Sequence, residues 1–255
     1  MALTLRDISG NGFDGTYRPA IPPASAPPPG VGRNARSFNS FLTDFEESAD
    51  VSAVVPTLAA GAAVTIAGWC KPASLGAISG GKVPFALNST TVLPGSGDIN
   101  RAMIRFDTSD FPDRYAVIDR AEPISTGAAA DPSVSVKLTW QFVAMRITPT
   151  ALELVVNGTE VASKATSLAM PAAGDRLTIA GELDYPSLEP TDLWYGRLDE
   201  VKAFDYYVSD VDLALLTAIG LGAVAGDYRE TALALGPVGY WTFDGGGFLV
   251  GAVAS

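Results

Sequence analysis

The residues of this chain with the most capacity for chemistry are acidic. Asp199 and Glu200 are adjacent in the run Gly196-Arg-Leu-Asp-Glu-Val201, and a pair of carboxyl groups is what glycoside hydrolysis requires. The alternation of side chains around this run predicts a β-strand, in which neighbouring residues face opposite sides of the sheet. We therefore expect that Asp199 and Glu200 cannot converge on one bond.

Catalysis by other side chains is restricted by composition. The chain has no histidine, which excludes Ser-His-Asp and Cys-His catalysis as well as His-ligated zinc and haem. The single cysteine, Cys70, follows an apolar run and is predicted to be a buried thiol. We predict that the protein is not an enzyme.

Length and composition predict one all-β domain over residues 1–255. Hydrophobic residues make up 47% of the chain and charged residues 18%, with 26 Gly and 18 Pro, so a full core with many turns is expected. The net charge of −11, without basic clusters, argues against binding to nucleic acid. No apolar run is long enough to suggest contact with a membrane, and no secretion signal is visible.

Local signals predict the elements that carry these residues. Asn157-Gly158 lies between two alternating runs and is a strong hairpin signal. Ser209 and Asp212 form a capping pair for one short helix that ends at Gly220. Regularly spaced strands and turns around them predict a sandwich of antiparallel sheets.

The N-terminal region has two unusual segments. Residues Asp7 to Tyr17 are rich in Asp, Asn, Ser and Gly, which predicts either a rigid loop or a cation-binding loop. Residues 18–32 contain six prolines, which favours either an extended arm or a long surface loop.

Four segments occur in an order typical of a known family. They are Asp7-Ile-Ser-Gly-Asn-Gly12, the strand Ala63 to Pro72, Trp140 with Leu154-Val-Val-Asn-Gly158, and Gly196-Arg-Leu-Asp-Glu-Val201. Together they resemble the concanavalin A-like laminin-G jelly-roll family, of the kind found in bacteriophage structural proteins. The resemblance implies an antiparallel jelly-roll sandwich with one short helix in the C-terminal half.

One departure from that family concerns the C-terminal segment 235–255. The aromatic strand Gly239-Tyr-Trp-Thr-Phe-Asp244, which family members carry just before the Asp-x-Ser-Gly-Asn-Gly loop, stands here at the far end and precedes an apolar tail. The jelly roll is therefore expected to be circularly permuted within one chain, or else to donate this strand to a neighbouring copy. A truncated second repeat is a third interpretation.

The same resemblance implies a calcium site. Its ligands would be Asp7, Asn11 and Gly12, with Asp199 or Asp244 from adjacent strands, because hard cations bind several carboxylate and carbonyl oxygens. The alternative is that Asp7 and Asn11 only hold the turn through side-chain to backbone bonds.

Glycan contacts are the other chemistry that the resemblance implies. Jelly-roll glycosidases carry a Glu-x-Asp-x-x-Glu strand, but the nearest run here, Glu182-Leu-Asp-Tyr-Pro-Ser187, lacks the final Glu. Trp194 and Tyr195 are predicted to be the exposed aromatic pair that stacks sugar rings, whereas the remaining tryptophans are expected in the core.

These expectations combine into a first functional hypothesis. The chain is predicted to be a non-enzymatic structural or adhesive protein of a virus particle, either a bacteriophage capsid decoration or a tail-fibre component. It would be located in the virion, as a homo-oligomer that contacts other virion proteins or copies of itself, and glycans are a further expected partner. The alternatives are a calcium-dependent carbohydrate-binding module and a glycosidase.

Overall fold

The computed structural model describes most of the chain. The described residues are 3–5, 7–18, 24–31, 35–38, 50–54, 58, 61–73, 82–89, 91, 93, 99–106, 114–119, 126–129, 138–166, 170–183 and 190–243. Within them the chain forms strands and two helices, and almost all of the strands belong to two large antiparallel sheets.

The strands of the N-terminal half are short at first and longer from residue 64 onward. They are β1 (Leu3–Leu5), β2 (Gly15–Arg18), β3 (Ala24–Ser25), β4 (Ala35–Phe38), β5 (Asp50–Val54), β6 (Val64–Pro72), β7 (Lys82–Asn88), β8 (Asn100–Phe106), β9 (Tyr115–Asp119) and β10 (Thr126–Ala129). The strand predicted from Ala63 to Pro72 corresponds to β6.

The C-terminal half contains the remaining strands and both helices. They are β11 (Gln141–Ile147), β12 (Ala151–Val156), β13 (Thr159–Ala165), β14 (Arg176–Ile179), β15 (Glu182–Leu183), β16 (Pro190–Thr191), β17 (Gly196–Phe204), α1 (Asp210–Gly220), α2 (Tyr228–Ala234) and β18 (Gly239–Trp241). The hairpin between β12 and β13 turns at Asn157 and Gly158, which have φ of 51° and 79°, as expected for this pair of residues.

The two large sheets pack face to face. The outer sheet has the order β1-β2-β5-β14-β7-β8-β9-β10, and the central sheet has the order β13-β12-β11-β6-β17-β4-β3, with β18 also paired to β17. Apolar side chains such as Phe85, Val143 and Leu198 fill the space between the sheets. The predicted antiparallel sandwich is confirmed.

A helical layer covers the other face of the central sheet. Leu213 and Leu216 of α1 and Tyr228 of α2 pack on Trp69 and Phe142 of the sheet. Because both faces of the central sheet are covered, β6 and β11 are apolar along nearly their whole length instead of alternating.

The contact between α1 and β6 requires a glycine. A Cβ atom on Gly220 would lie 2.2 Å from Cζ2 of Trp69, so only glycine lets the end of the helix approach the indole this closely. Ser209 is the N-cap of α1 and its hydroxyl accepts the Asp212 N–H, which confirms the predicted capping pair.

The prediction of a single helix is wrong. Residues Tyr228–Ala234 form a second helix whose N-cap is Asp227, and its carboxylate accepts the N–H groups of Arg229 and Glu230. None of the described helices has the length and apolar character needed to cross a membrane.

The displaced C-terminal strand pairs within its own chain. β18 is antiparallel to β17, with Trp241 opposite Val201, and Trp241 also forms a bridge to Asp7. β4 pairs with the other half of β17, where Arg36 lies opposite Leu198. β18 and β4 thus share one edge of β17, which is the intrachain arrangement of the two that were predicted.

Part of the proline-rich segment packs against α1. Pro28 is buried, and the Gly30 N–H donates to the Gly220 carbonyl at 2.8 Å. Residues 26–31, which follow β3, are therefore a loop fixed to the helical layer rather than a free arm. Residues 19–23 and 32–34 lie outside the described residues.

Candidate functional site

The Asp7 carboxylate joins the N-terminal loop to β18. Its Oδ1 accepts the N–H groups of Ser9 and Tyr240, each at 2.8 Å. Its Oδ2 accepts the Ser9 hydroxyl at 2.8 Å and the Phe13 N–H at 3.0 Å. A carboxylate has about four acceptor positions, so these four donors fill it. Asp7 is 5% exposed.

The predicted calcium ligands do not fit a calcium ion in this arrangement. Asn11 turns its amide nitrogen, not its oxygen, toward Ser9 and the Val238 carbonyl. Asp199 is on β17, and β18 lies between that strand and Asp7, so the two residues are at least two strand spacings, about 10 Å, apart. Gly12 is exposed in the loop, and Asp244 lies outside the described residues. Among the described residues, no group of three or more His, Cys, Asp or Glu could hold a metal.

Asp199 and Glu200 lie on the same side of the central sheet, contrary to the sequence prediction. The pairing register between β17 and β6 shifts after Asp199, so that Lys202 lies opposite Ala67. Glu200 occupies the left-handed region with φ of 52°. This β-bulge adds one residue to β17 and directs both carboxylates toward the helical layer.

A buried polar cluster surrounds the bulge. Glu200 accepts from Arg229 Nη2 at 2.6 Å and Nε at 3.0 Å, and also from the Tyr240 hydroxyl. Lys202 Nζ donates to the Glu200 carbonyl at 2.7 Å and to the Tyr228 hydroxyl at 2.8 Å. Asp199, Glu200 and Lys202 are all 0% exposed, so the cluster is closed to any large substrate.

Lys202 is held in an aromatic cage. Its Nζ lies 4.5 Å from the ring centroids of both Tyr228 and Tyr240. Burial lowers the pKa of Lys202 to about 7, with Glu200 and Asp199 opposing the shift and Arg229 adding to it. Burial beside Glu200 raises the pKa of the Tyr228 and Tyr240 hydroxyls.

The predicted sugar-stacking pair is not an exposed pair. Trp194 is 1% exposed and packs in the core between the sheets, 6.4 Å from Phe106 between ring centroids. The prediction that Trp194 is exposed is therefore wrong, because this position faces the sheet interface. Tyr195, the next residue, is partly exposed, so at most one member of the predicted pair reaches a ligand.

Two other tyrosines present their rings to solvent. Tyr206 and Tyr207, here called the tyrosine pair, are 37% and 41% exposed and lie in the short connection between β17 and α1. The Tyr206 hydroxyl donates to the Leu235 carbonyl at 2.6 Å. The Tyr207 hydroxyl donates to Glu153 Oε2 at 3.0 Å. Both rings are therefore fixed at their tips.

The backbone beneath the tyrosine pair is also fixed. The Thr65 hydroxyl donates to the Tyr206 carbonyl at 2.9 Å and accepts the Val208 N–H at 3.0 Å. A Cβ atom on Gly61 would lie 2.2 Å from the Asp205 carbonyl oxygen, so the loop before β6 packs tightly on this connection. Rigid aromatic side chains lose little entropy when they bind a ligand.

Arg146 supports Tyr207 from below. Its guanidinium carbon lies 4.3 Å from the Tyr207 ring centroid, and Arg146 itself is 0% exposed. It pairs with Glu153 at 2.9 Å, Glu160 at 3.0 Å and Asp210 at 2.5 Å. Because one face of Tyr207 rests on Arg146, its exposed area belongs to the other face and the ring edge.

Sequence reasoning missed the tyrosine pair and the role of Arg146. Tyr206 and Tyr207 are consecutive polar aromatic residues between the end of β17 and the N-cap of α1. The sequence predicted both the strand and the cap, so it also placed these tyrosines in the connection between them. Such a connection is usually at the surface, which is the signal that could have favoured them over Trp194.

Comparison with known proteins agrees with this architecture. Residues 45–214 match the family model described as the Concanavalin A-like lectin/glucanases superfamily. No curated protein matches the chain in sequence.

Three solved structures share the fold at low sequence identity. Bacteriophage CBA120 tailspike protein 2 (enzymatically active domain) is 12% identical with a TM-score of 0.58, over 91% of this chain and 33% of that chain. Domain 4 of an extracellular arabinanase from Geobacillus stearothermophilus, in complex with arabinotriose, is 13% identical with a TM-score of 0.55, over 85% and 98%. The binding domain of botulinum neurotoxin DC, in complex with SialylT, is 10% identical with a TM-score of 0.53, over 86% and 50%.

The extent of these matches differs among the three proteins. The chain spans about half of the toxin binding domain and about a third of the tailspike, but nearly all of the arabinanase domain. At these identities the similarity concerns the fold alone.

The bonds of Asp7 generate a first prediction. Asp7→Asn turns an amide N–H₂ toward the Phe13 N–H, so a partly buried donor loses its acceptor. We expect the free energy of unfolding in urea to fall by about 2–4 kcal/mol. Asp14→Asn is the matched control, because exposed Asp14 accepts the Asp7 N–H through Oδ1, and an asparagine keeps an oxygen that can accept it; its effect should stay within about 0.5 kcal/mol.

The same urea unfolding measurements, repeated with added calcium, test whether the Asp7 carboxylate binds a cation. If added calcium stabilised the natural protein and this gain disappeared in Asp7→Asn, the carboxylate would be a cation ligand and the hydrogen-bond account would be wrong.

The buried lysine generates a second prediction. Since the pKa of Lys202 falls from 10.5 to about 7 on folding, the unfolded chain binds one more proton than the folded chain between these values. Stability should therefore rise from pH 7 to pH 9, by up to about 1.4 kcal/mol per pH unit from this group. Lys202→Met should lower that slope in urea unfolding measured at several pH values.

The difference in pH slope between the natural protein and Lys202→Met removes the contributions of the other titrating groups. One of these is Cys70, whose pKa is raised by burial. An identical pH slope in Lys202→Met and the natural protein would contradict the assignment.

Proposed function

This chain belongs to the Concanavalin A-like lectin/glucanases superfamily, and from that premise we propose that it is a non-enzymatic adhesive domain that binds glycans through Tyr206 and Tyr207. The proposal concerns recognition rather than bond cleavage. It includes no calcium, because the Asp7 carboxylate is filled by hydrogen-bond donors.

The observation that carries the proposal is the exposed and fixed tyrosine pair. An aromatic ring offers an apolar face to the C–H groups of a sugar, while its surroundings offer polar groups to the hydroxyls. Tyr207 has both, because its hydroxyl bonds to Glu153 and the Arg146 guanidinium on its ring pairs with exposed Asp210. The rings are held by hydrogen bonds before any ligand arrives, which lowers the entropy cost of binding.

The surroundings of the carboxylates that could act in glycoside hydrolysis support binding without catalysis. Asp199 and Glu200 are closed beneath the helical layer. Glu182 forms an ion pair with Arg105, which also contacts Asp192 at 2.5 Å. A carboxylate fixed by a guanidinium is poorly placed to deliver a proton to a glycosidic oxygen.

The comparisons add support at the level of fold. The arabinanase domain was solved with arabinotriose and the toxin binding domain with SialylT, so this architecture serves glycan recognition in other proteins. For this chain, the ligand and the binding site have to be inferred from its own residues.

A glycan array with purified protein tests the proposal. We expect binding to at least one glycan, and we expect Tyr207→Ala to weaken its affinity about tenfold or more, because a central aromatic contact is lost. Tyr207→Phe keeps the ring over Arg146 and loses only the bond to Glu153, so it should retain most of the affinity. Titration calorimetry with the strongest glycan measures both.

The control is Leu138→Ala, which removes an apolar side chain that is 58% exposed at the opposite end of the central sheet. It should bind like the natural protein. Binding that survives Tyr207→Ala in a folded protein but is lost in Tyr195→Ala would refute the assignment to the tyrosine pair.

A second candidate function is a structural role in a virus particle, as a bacteriophage capsid decoration or tail-fibre component. The similarity to a bacteriophage tailspike over 91% of this chain is the observation that favours it. This role fits the first candidate, since an adhesive domain on a particle binds surface glycans.

The second candidate predicts self-assembly. Light scattering after size-exclusion chromatography should show a homo-oligomer at micromolar concentration, because repeated virion components act as symmetric assemblies. A monomer at all concentrations tested would count against this candidate and leave glycan binding unaffected.

A further inference from the structure

The tyrosine pair lies in a strongly acidic environment. Four carboxylates act on the two hydroxyls: Asp205 and Asp212 on Tyr206, and Glu153 and Asp210 on Tyr207. Burial raises the pKa of Tyr206, and these two acids add to the increase. Burial and the hydrogen bond to Glu153 raise the pKa of Tyr207 to about 12. Both hydroxyls therefore have carboxylates nearby, and at Tyr207 the Arg146 guanidinium opposes their effect on the pKa.

The positive charge next to the pair does not reach a ligand. Arg146 is 0% exposed and is shared among Glu153, Glu160 and Asp210. The Asp210 side chain, in contrast, is 62% exposed and that of Glu160 is 39% exposed. Around Tyr207, Asp210 and Glu160 thus face solvent, whereas Glu153 is mostly covered and the cation is fully covered.

This distribution has opposite consequences for neutral and for acidic sugars. Hydroxyl groups of a neutral sugar donate to carboxylates in strong, charge-assisted hydrogen bonds. The carboxylate of a sialic acid or uronic acid, or a sulfate group, would instead meet several like charges within a Debye length. The whole chain, with its net charge of −11, adds to the repulsion at longer range.

We propose that the tyrosine pair selects neutral glycans, stacking a hexose with an apolar C–H face on Tyr207, and rejects sialylated, uronate-containing and sulfated glycans. This inference rests on the proposed glycan-binding function and specifies its ligand class. The specificity would differ from that of the toxin binding domain solved with SialylT, since a shared fold does not carry a shared site.

The test uses glycans in matched pairs. The natural protein is titrated with lactose and 3′-sialyllactose, and with the strongest neutral glycan of the array and its sialylated or sulfated counterpart. We expect at least about tenfold weaker binding of the acidic member. Raising the salt concentration from about 0.05 M to about 0.5 M should reduce this difference in affinity, because salt screens the repulsion between the acidic glycan and the carboxylates.

Two variants test the origin of the discrimination. Asp205→Asn and Asp212→Asn each remove one negative charge near Tyr206 and keep the size of the side chain. In Asp212→Asn the amide oxygen still accepts the Ser209 hydroxyl of the helix cap. Together they should lower the ratio of the affinity for the neutral glycan to the affinity for the acidic glycan severalfold. Asp192→Asn, which makes the same charge change beside Arg105 of the outer sheet, should leave the ratio of the two affinities as it is.

The outcomes separate this inference from the proposed function. If Tyr207→Ala abolishes binding but acidic glycans bind as well as neutral ones, the specificity inference is overturned and the glycan-binding function stands. If no glycan binds, or if Tyr207→Ala has no effect, both are overturned. A ratio that changes equally in Asp192→Asn would also refute the inference, because the tyrosine pair would then not be the source of the repulsion.

Discussion

The β-bulge in β17 buries a second carboxylate, and the C-terminal part of the chain has to supply hydrogen-bond donors for it. The bulge after Asp199 brings a second carboxylate, Glu200, to the face of the central sheet that the helices cover. A buried charge without partners is very unfavourable. Arg229 of α2 and Tyr240 of β18 provide the donors, so the second helix and the displaced strand are both required beside the bulge. Tyr240 reaches Glu200 because β18 pairs with β17 of its own chain.

Features with strong local signals could be predicted from the sequence. The Asn157-Gly158 hairpin, the cap at Ser209 and the strand from Ala63 agree with the structure, because turn dihedrals and capping bonds are set by residues close in the chain. The burial of Cys70 followed from its apolar neighbours. The antiparallel sandwich followed from the spacing of these elements together with the family resemblance.

Features that depend on distant partners could not be predicted. Alternation in β17 placed Asp199 and Glu200 on opposite faces, but a bulge changes the phase of a strand and leaves no reliable mark in one sequence. Trp194 was expected at the surface because it follows polar residues, yet its side chain packs against Phe106 of the outer sheet. The exposure of Tyr206 and Tyr207 depends in turn on contacts with Thr65 and Arg146.

The bridge between Asp7 and Trp241 also determines how the domain responds to mechanical load. Ile8 and Tyr240 form the next bond of this short antiparallel ladder, so the chain leaves it at the same end on both strands, toward residue 6 on one and residue 242 on the other. Tension applied through these two exits opens the hydrogen bonds one after another instead of shearing them together, because in an antiparallel pair they lie perpendicular to the strands. Under force, the Asp7 junction is where β18 begins to peel from the sandwich, and peeling proceeds toward Gly239 and the Leu235 carbonyl that accepts the Tyr206 hydroxyl.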